Sequence, residues 1–187
     1  MAMLLAFAPF VVFAVIDRLL GATEGLFAGT AMSAALILRD VVTPGRRQKI
    51  LEMGTFVLFG GLALYTALSG AAWSVIGVRL CVDAGLLLIV LASIVSGRPF
   101  TLQYARERIA PEFWSQPEFL RTNYVLSSVW ALAFAVIVAA ELVLLYLPDL
   151  PPRLGVIAIA VALFGAFKFT AWYPDRPRAV SSQPTNA

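Results

Sequence analysis

The sequence predicts an all-α membrane protein, a polytopic helical bundle with five or six transmembrane helices. Of its 187 residues, 60% are hydrophobic and 13% are charged, whereas a soluble domain carries about 25% charged residues. The mean hydropathy is +0.86. So few charges cannot cover a water-facing surface, and the same composition excludes a disordered chain, a coiled coil and a secreted disulfide scaffold.

Five apolar stretches are long enough to cross a hydrocarbon core, which takes about 20 helical residues. They are residues 19–38, 51–69, 71–96, 123–147 and 154–173. The second and third are separated only at Gly70, so they are expected to form a tight helical hairpin. Pro148 and Pro174 punctuate the last two spans. The polar, Pro/Ser-rich residues 174–187 are predicted to form a disordered tail.

Residues 2–16 form a shorter apolar stretch. As a helix they would reach about 22 Å, short of a core that is ~30 Å thick, and Pro9 interrupts them. A tilted or locally thinned span, a re-entrant segment and an interfacial helix all stay open. A cleaved signal peptide is not expected, because no lysine or arginine precedes the apolar run.

The distribution of lysine and arginine predicts the orientation. Ten of these residues lie in the 39–50 connection, the 97–122 connection and the tail, whereas the loops on the opposite side hold only Arg18 and Arg153. This excess predicts that the Arg-rich connections and the C-terminus are cytoplasmic. The net charge of +3 is therefore interpreted as an orientation signal, and no nucleic-acid partner is expected.

The composition removes most catalytic and cofactor chemistry. The chain has no histidine, which excludes imidazole metal sites, His-ligated haem and Ser-His-Asp catalysis. Cys81 is the single cysteine, so no internal disulfide forms. Without a nucleophile–base pair or a Gly-rich phosphate loop, we expect no enzymatic activity, no cofactor and no metal.

Four charged residues inside or near the outer ends of the predicted spans are the candidate polar site: Glu24, Arg79, Asp83 and Glu141. A charge costs a few kcal/mol at mid-membrane, and the predicted topology puts all four in the outer half or at the midplane. Arg79 and Asp83 are four residues apart, so they share a helix face and can pair. The set is interpreted as a structural pair pinning neighbouring helices, as an outward-facing polar cavity for a headgroup, ion or small solute, or as lipid-exposed charge.

Gly21, Gly25 and Gly29 recur at four-residue spacing. Small residues at this spacing let another helix approach closely. The partner helix belongs either to the same chain or to a second copy in a homodimer.

The 98–121 connection interleaves aromatic residues with arginine, a mixture that suits lipid headgroups. We interpret it as a short amphipathic helix followed by an irregular stretch on the inner leaflet, the alternative being an ordinary connecting loop. Tyr104, Arg106, Arg108 and Trp114 are its candidate partner surface.

Several motifs, in order, resemble the bacterial intracellular septation protein A family. They are Phe-Ala-Pro-Phe-Val-Val-Phe at residues 7–13, Leu-Phe-Gly-Gly-Leu at residues 58–62, and an Arg-Pro motif followed by Gln, Pro, Trp and Asn within residues 98–123. The resemblance covers most of residues 5–174. It implies a bacterial inner-membrane protein of five or six helices, without established catalytic activity, that contributes to cell-envelope synthesis, elongation and division. Arg79 and Asp83 depart from the family, where apolar residues are expected.

Two functions follow as expectations. The first is a non-enzymatic envelope protein that acts through contacts with membrane lipids or other inner-membrane envelope proteins. The second is a small transporter or lipid-binding carrier that uses the four charged residues as an outward-facing site.

Overall fold

The chain folds entirely into helices and connections in the computed structural model, which describes residues 5–44, 48–70, 74–147 and 149–175. The described residues contain no strand, so the predicted all-α class is confirmed. The helices are α1 (Ala8–Leu19), α2 (Ala22–Val42), α3 (Ile50–Ser69), α4 (Val75–Val95), α5 (Phe100–Arg106), α6 (Pro117–Tyr146) and α7 (Pro152–Trp172). Single 3-10 turns lie at Pro111–Phe113 and Tyr173–Asp175.

Five of these helices are long and apolar enough to cross a membrane. They are α2, α3, most of α4, α6 and most of α7. Each corresponds to one of the five apolar stretches in the sequence. The 71–73 segment at the predicted start of the third stretch and the tail residues 176–187 lie outside the described residues.

The N-terminal end of α6 and the C-terminal end of α2 extend beyond the apolar stretches that predicted these helices. α6 begins at Pro117 rather than at residue 123, because proline suits the first helical turn, where its missing N–H is not needed. α2 runs on past Leu38 to Val42. The backbone hydrogen bonds of α2 continue past the charged residues Arg39 and Asp40. The helix therefore ends where these hydrogen bonds end, and not where the apolar residues end.

The first apolar stretch overlaps a 12-residue helix, α1, which runs on to Leu19 and covers about 18 Å. One face of α1 is packed: Phe7, just before it, stacks on Trp130 of α6 at a ring-centroid distance of 4.8 Å. Further along, Phe10 and Phe13 contact Phe59 of α3 at 5.1 and 5.5 Å. Residues 1–4 are not described, so the question of whether residues 2–16 cross the membrane lies partly outside the described chain.

The glycines on α2 allow close packing within the chain. A Cβ on Gly25 would lie 3.0 Å from Asp17 of α1, and one on Gly29 would lie 2.8 Å from the ring of Phe59. The helices that approach this ridge are therefore α1 and α3 of the same chain. Gly21 has a different role, because its φ of +124° turns the chain between α1 and α2.

The bundle has two chemically different ends. At one end, which we call the Arg-rich end, the α2–α3 connection meets α5 and the connection that leads to α6. At the other end, which we call the Asp17 end, the last turn of α1 meets the second turn of α4. Charged side chains enter the protein interior at both ends.

Candidate functional site

At the Asp17 end, an ion pair joins α1 to α4. Arg79 donates hydrogen bonds to Oδ2 of Asp17 from Nη2 at 2.8 Å and from Nε at 3.2 Å. The Asp17 side chain is 1% exposed and that of Arg79 is 36% exposed. The carboxylate is thus buried while its cation reaches the surface.

This pairing differs from the expected one between Arg79 and Asp83. Side chains on a helix tilt toward its N-terminus, and the N-terminus of α4 lies at the Asp17 end. The guanidinium of Arg79 therefore extends toward Asp17, whereas Asp83 lies one turn deeper. Arg79 still acts on Asp83 through its charge, but the hydrogen bonds go to α1.

Asp83 meets Glu141 of α6 instead. Asp83 and Glu141 are near enough to act on each other electrostatically, and the charge of Arg79 acts on both. Glu141 is 5% exposed. Oδ1 of Asp17 and Oε2 of Glu141 are both buried without a hydrogen-bond partner among the described residues.

The structure thus brings together three of the four predicted residues and adds Asp17. We call Asp17, Arg79, Asp83 and Glu141 the Asp17 cluster; it draws on α1, α4 and α6. Glu24, the fourth predicted residue, is exposed in the first turn of α2. No hydrogen bond or ion pair among the described residues connects it to the cluster.

The apolar stretches of the sequence predict that Asp17 lies with Arg18 in a connection between two helices. In the structure α1 continues to Leu19, and its buried residues are Pro9, Phe13 and Asp17. They recur every four residues, which places them on one helix face. That spacing was the available signal for an inward-facing carboxylate.

At the Arg-rich end, a second set of charges is buried more completely. Lys49 has a side chain that is 2% exposed, as is that of Glu52, and Asp40 is fully covered. Nζ of Lys49 binds Oδ2 of Asp40, lies 2.8 Å from Oε1 of Glu107 and lies 3.5 Å from Oε1 of Glu52. We call Asp40, Lys49, Glu52, Tyr104 and Glu107 the Lys49 cluster.

Neighbouring groups complete the Lys49 cluster. Arg39 donates to Oδ1 of Asp40 from Nη2 at 2.8 Å and lies 3.6 Å from Glu52. The hydroxyl of Tyr104 donates to Oε1 of Glu52 at 3.4 Å. The ring of Tyr104 lies 5.2 Å from Nζ of Lys49, within range of a cation–π contact.

Two groups of this cluster outside the spanning helices have shifted pKa values. Burial acts to lower the pKa of Lys49, but its hydrogen bonds to Asp40 and Glu107 outweigh burial and raise the pKa above its ordinary value. Burial raises the pKa of Tyr104, and the nearby Glu52 carboxylate raises it further. Lys49 therefore stays charged and Tyr104 stays neutral.

No family model, curated protein or solved structure matches the chain. The chemistry of its own residues is thus the basis for a functional proposal.

The predicted partner surface divides into exposed and buried residues. Arg106 and Arg108 are exposed, and Trp114 is half-buried, with its ring 5.3 Å from the guanidinium of Arg106. Tyr104 is 4% exposed, so its assignment to an accessible surface is corrected. It faces inward because it packs in the Lys49 cluster, on the buried side of α5.

Sequence analysis missed the Lys49 cluster altogether. The charge pattern indicates only that Lys49 is one of the basic residues that set orientation, and it gives Asp40 and Glu52 no special role. Opposite charges at the facing ends of α2 and α3 were the available signal, together with the three-residue spacing of Lys49 and Glu52. The contribution of Glu107 depends on how the chain folds back, which local spacing does not reveal.

Proposed function

We propose that this chain is a multi-pass protein of the bacterial inner membrane that acts without catalysis, by binding lipids and other inner-membrane proteins of the cell envelope. Five apolar helices support its place in a membrane. The resemblance to the septation protein A family supports a role in envelope elongation and division. The excess of lysine and arginine supports a cytoplasmic position for the Arg-rich end and the C-terminus.

The observation that carries this proposal is the attachment of the connection between α4 and α6 to the Lys49 cluster. Glu107, just after α5, binds the buried Lys49, and Gln103 accepts a hydrogen bond from the backbone N–H of Ile50 at 2.8 Å. Trp114 donates from Nε1 to the carbonyl oxygen of Ile109 at 2.9 Å. These contacts give an Arg-rich surface a fixed shape, which suits binding because little ordering entropy is lost.

Photo-crosslinking in the source bacterium tests this function. A photoreactive amino acid at Trp114 should capture inner-membrane envelope proteins, whereas the same group at Tyr146, which is 76% exposed at the opposite end of α6, should not. Mass spectrometry identifies the captured proteins. Identical adducts at both positions, or none at Trp114, would contradict a binding surface at the Arg-rich end.

A small transporter or lipid-binding carrier is the second candidate. It is favoured by the Asp17 cluster, in which three carboxyl groups and one arginine from three helices converge. Two of the carboxylate oxygens are buried without a partner among the described residues. Such residues in a membrane protein often mark the path of an ion or substrate.

A double substitution separates the two candidates. Arg79→Gln with Asp17→Asn removes both charges of the ion pair and keeps similar shapes. A structural pair tolerates such a neutral replacement, so crosslinking at Trp114 and the envelope phenotype should persist. Loss of envelope function in a variant that still folds would favour the transporter, with Glu24→Gln as the exposed control.

A further inference from the structure

A groove opens at the Arg-rich end between α5 and the chain that follows it on one side and α6 and α7 on the other. It has a volume of about 520 Å³ and is lined by Tyr104, Ala105, Ile109, Phe113, Phe119 and Leu126, among others. This volume falls within the range of roughly 300–1,000 Å³ that is typical of small-molecule sites.

Three polar residues in the groove wall, Thr101, Asn123 and Thr170, donate hydrogen bonds to backbone carbonyl oxygens. Oγ1 of Thr101 donates to the carbonyl oxygen of Asn123, and Nδ2 of Asn123 donates to that of Phe119, both at 2.8 Å. Oγ1 of Thr170 donates to the carbonyl oxygen of Ala166 at 2.8 Å. With these groups engaged, the wall presents mainly hydrocarbon, which suits an acyl chain.

One arginine lies in the lining of the groove. Arg108 lines it, and Arg98, Arg106 and Arg121 lie on the same stretch of chain. All four are exposed. None of them forms an ion pair with another described residue. Arg108 is thus available to a phosphate, which guanidinium groups bind through paired hydrogen bonds.

We propose that this groove binds an anionic phospholipid, with one acyl chain against the apolar wall and the phosphate at Arg108. The groove lies where α6 and α7 reach the Arg-rich end, so a lipid of the surrounding leaflet can enter it sideways. Basic pockets between membrane helices on the cytoplasmic side are suited to anionic headgroups. This inference deepens the proposed function and rests on its placement of the Arg-rich end at the cytoplasmic leaflet.

Native mass spectrometry of the full purified chain tests the groove. Phosphatidylglycerol is titrated against diacylglycerol with matched acyl chains, which lacks the phosphate, and it should bind about tenfold more tightly if one charge-assisted contact to the phosphate is made. Arg108→Gln should abolish that preference. Arg121→Gln is the matched control, since it removes an exposed arginine that does not line the groove.

Two further variants test the apolar part of the site. Ala105→Leu fills the groove and should weaken the binding of both lipids. Ile109→Asp places a carboxylate at a position that is already 40% exposed, so the chain should fold, and it should weaken phosphatidylglycerol most. Circular dichroism and monodisperse elution in detergent verify the fold of each variant.

Three results would overturn the proposal. They are equal affinity of the chain for the two lipids, an unchanged lipid preference in Arg108→Gln, and unchanged lipid binding in both Ala105→Leu and Ile109→Asp. Displacement of phosphatidylglycerol by equimolar oleate would identify a free fatty acid as the ligand instead. Because these measurements contain no protein partner, their failure is distinguishable from failure of the crosslinking experiment.

Discussion

Lys49 shows how strongly environment changes the role of a single charged residue. In sequence it belongs to a basic connection, but its side chain is 2% exposed and bound to three carboxylates. Breaking one partner of a buried ion pair is costly, because the remaining charges stay buried without compensation. Lys49 is therefore expected to contribute to the stability of the Arg-rich end.

Lys49→Met should lower the free energy of unfolding by about 3 kcal/mol, because Asp40 and Glu52 would keep only Arg39 as a shared cation. Unfolding in mixed micelles with increasing sodium dodecyl sulfate measures the change. Lys168→Met is the control: Lys168 is exposed, so the effect should be within about 0.5 kcal/mol. Equal effects of the two substitutions would contradict a stabilising role for the Lys49 cluster.

Stability should fall at alkaline pH because of Lys49 and Tyr104. Both pKa values are raised in the folded chain above the ordinary values of 10.5 and 10.0. The contribution of these two groups to the free energy of unfolding is complete below the ordinary pKa values. It is lost as the pH rises above them, because the unfolded chain releases its protons first. Melting temperatures between pH 8 and pH 11 check this.

Tyr104→Phe separates the tyrosine contribution to that alkaline loss. Phenylalanine keeps the ring beside Lys49 but cannot ionise, so the decline above about pH 10 should be smaller than in the unmodified chain. Tyr146→Phe serves as the control, because Tyr146 is 76% exposed. A decline of the same size in all three proteins would exclude Tyr104 as its source.

At the level of the helices, α1, α2 and α3 are packed closely through small residues. The four-residue glycine spacing predicted a ridge for close approach, although it left open which helix would approach. The contacts depend on Phe59, which is fully buried and lies against Phe10 and Phe13 of α1. Long-range pairing of this kind is not encoded in the local spacing of α2.

Gly29→Ala should destabilise the bundle by about 1–3 kcal/mol, the usual cost of overpacking a tight interface. Its Cβ would lie 2.8 Å from the ring of Phe59, which is confined by its neighbours. Gly61→Ala is the matched control on α3, because a Cβ there would meet no atom within 4 Å. Unfolding in mixed micelles should show a loss for Gly29→Ala and no loss for Gly61→Ala.

The positions of the helices were more predictable than their ends or their polar contacts. Long apolar stretches predict helices because a membrane helix must satisfy its backbone hydrogen bonds within itself. Helix ends depend on backbone chemistry instead, as at Pro117 of α6 and Gly21 before α2. The contact between Asp17 and Arg79 joins residues 62 positions apart, and sequence alone did not give that distance.

For the whole molecule, the charge distribution predicts one orientation. In a Cys81→Ser background, Arg153→Cys should react with a membrane-impermeant maleimide in intact spheroplasts, whereas Arg108→Cys should react only after permeabilisation. Both arginines are exposed, so access depends on the side of the membrane. The reverse labelling pattern would place the Arg-rich end outside the cell.

The length of α6 has a consequence for where this protein meets the membrane. Its 30 residues measure about 45 Å, against ~30 Å of hydrocarbon. The six residues before Asn123 alone extend about 9 Å, and they include the charged Glu118 and Arg121. The N-terminal turns of α6 therefore reach beyond hydrocarbon of that thickness, so that their charged side chains meet lipid headgroups and water.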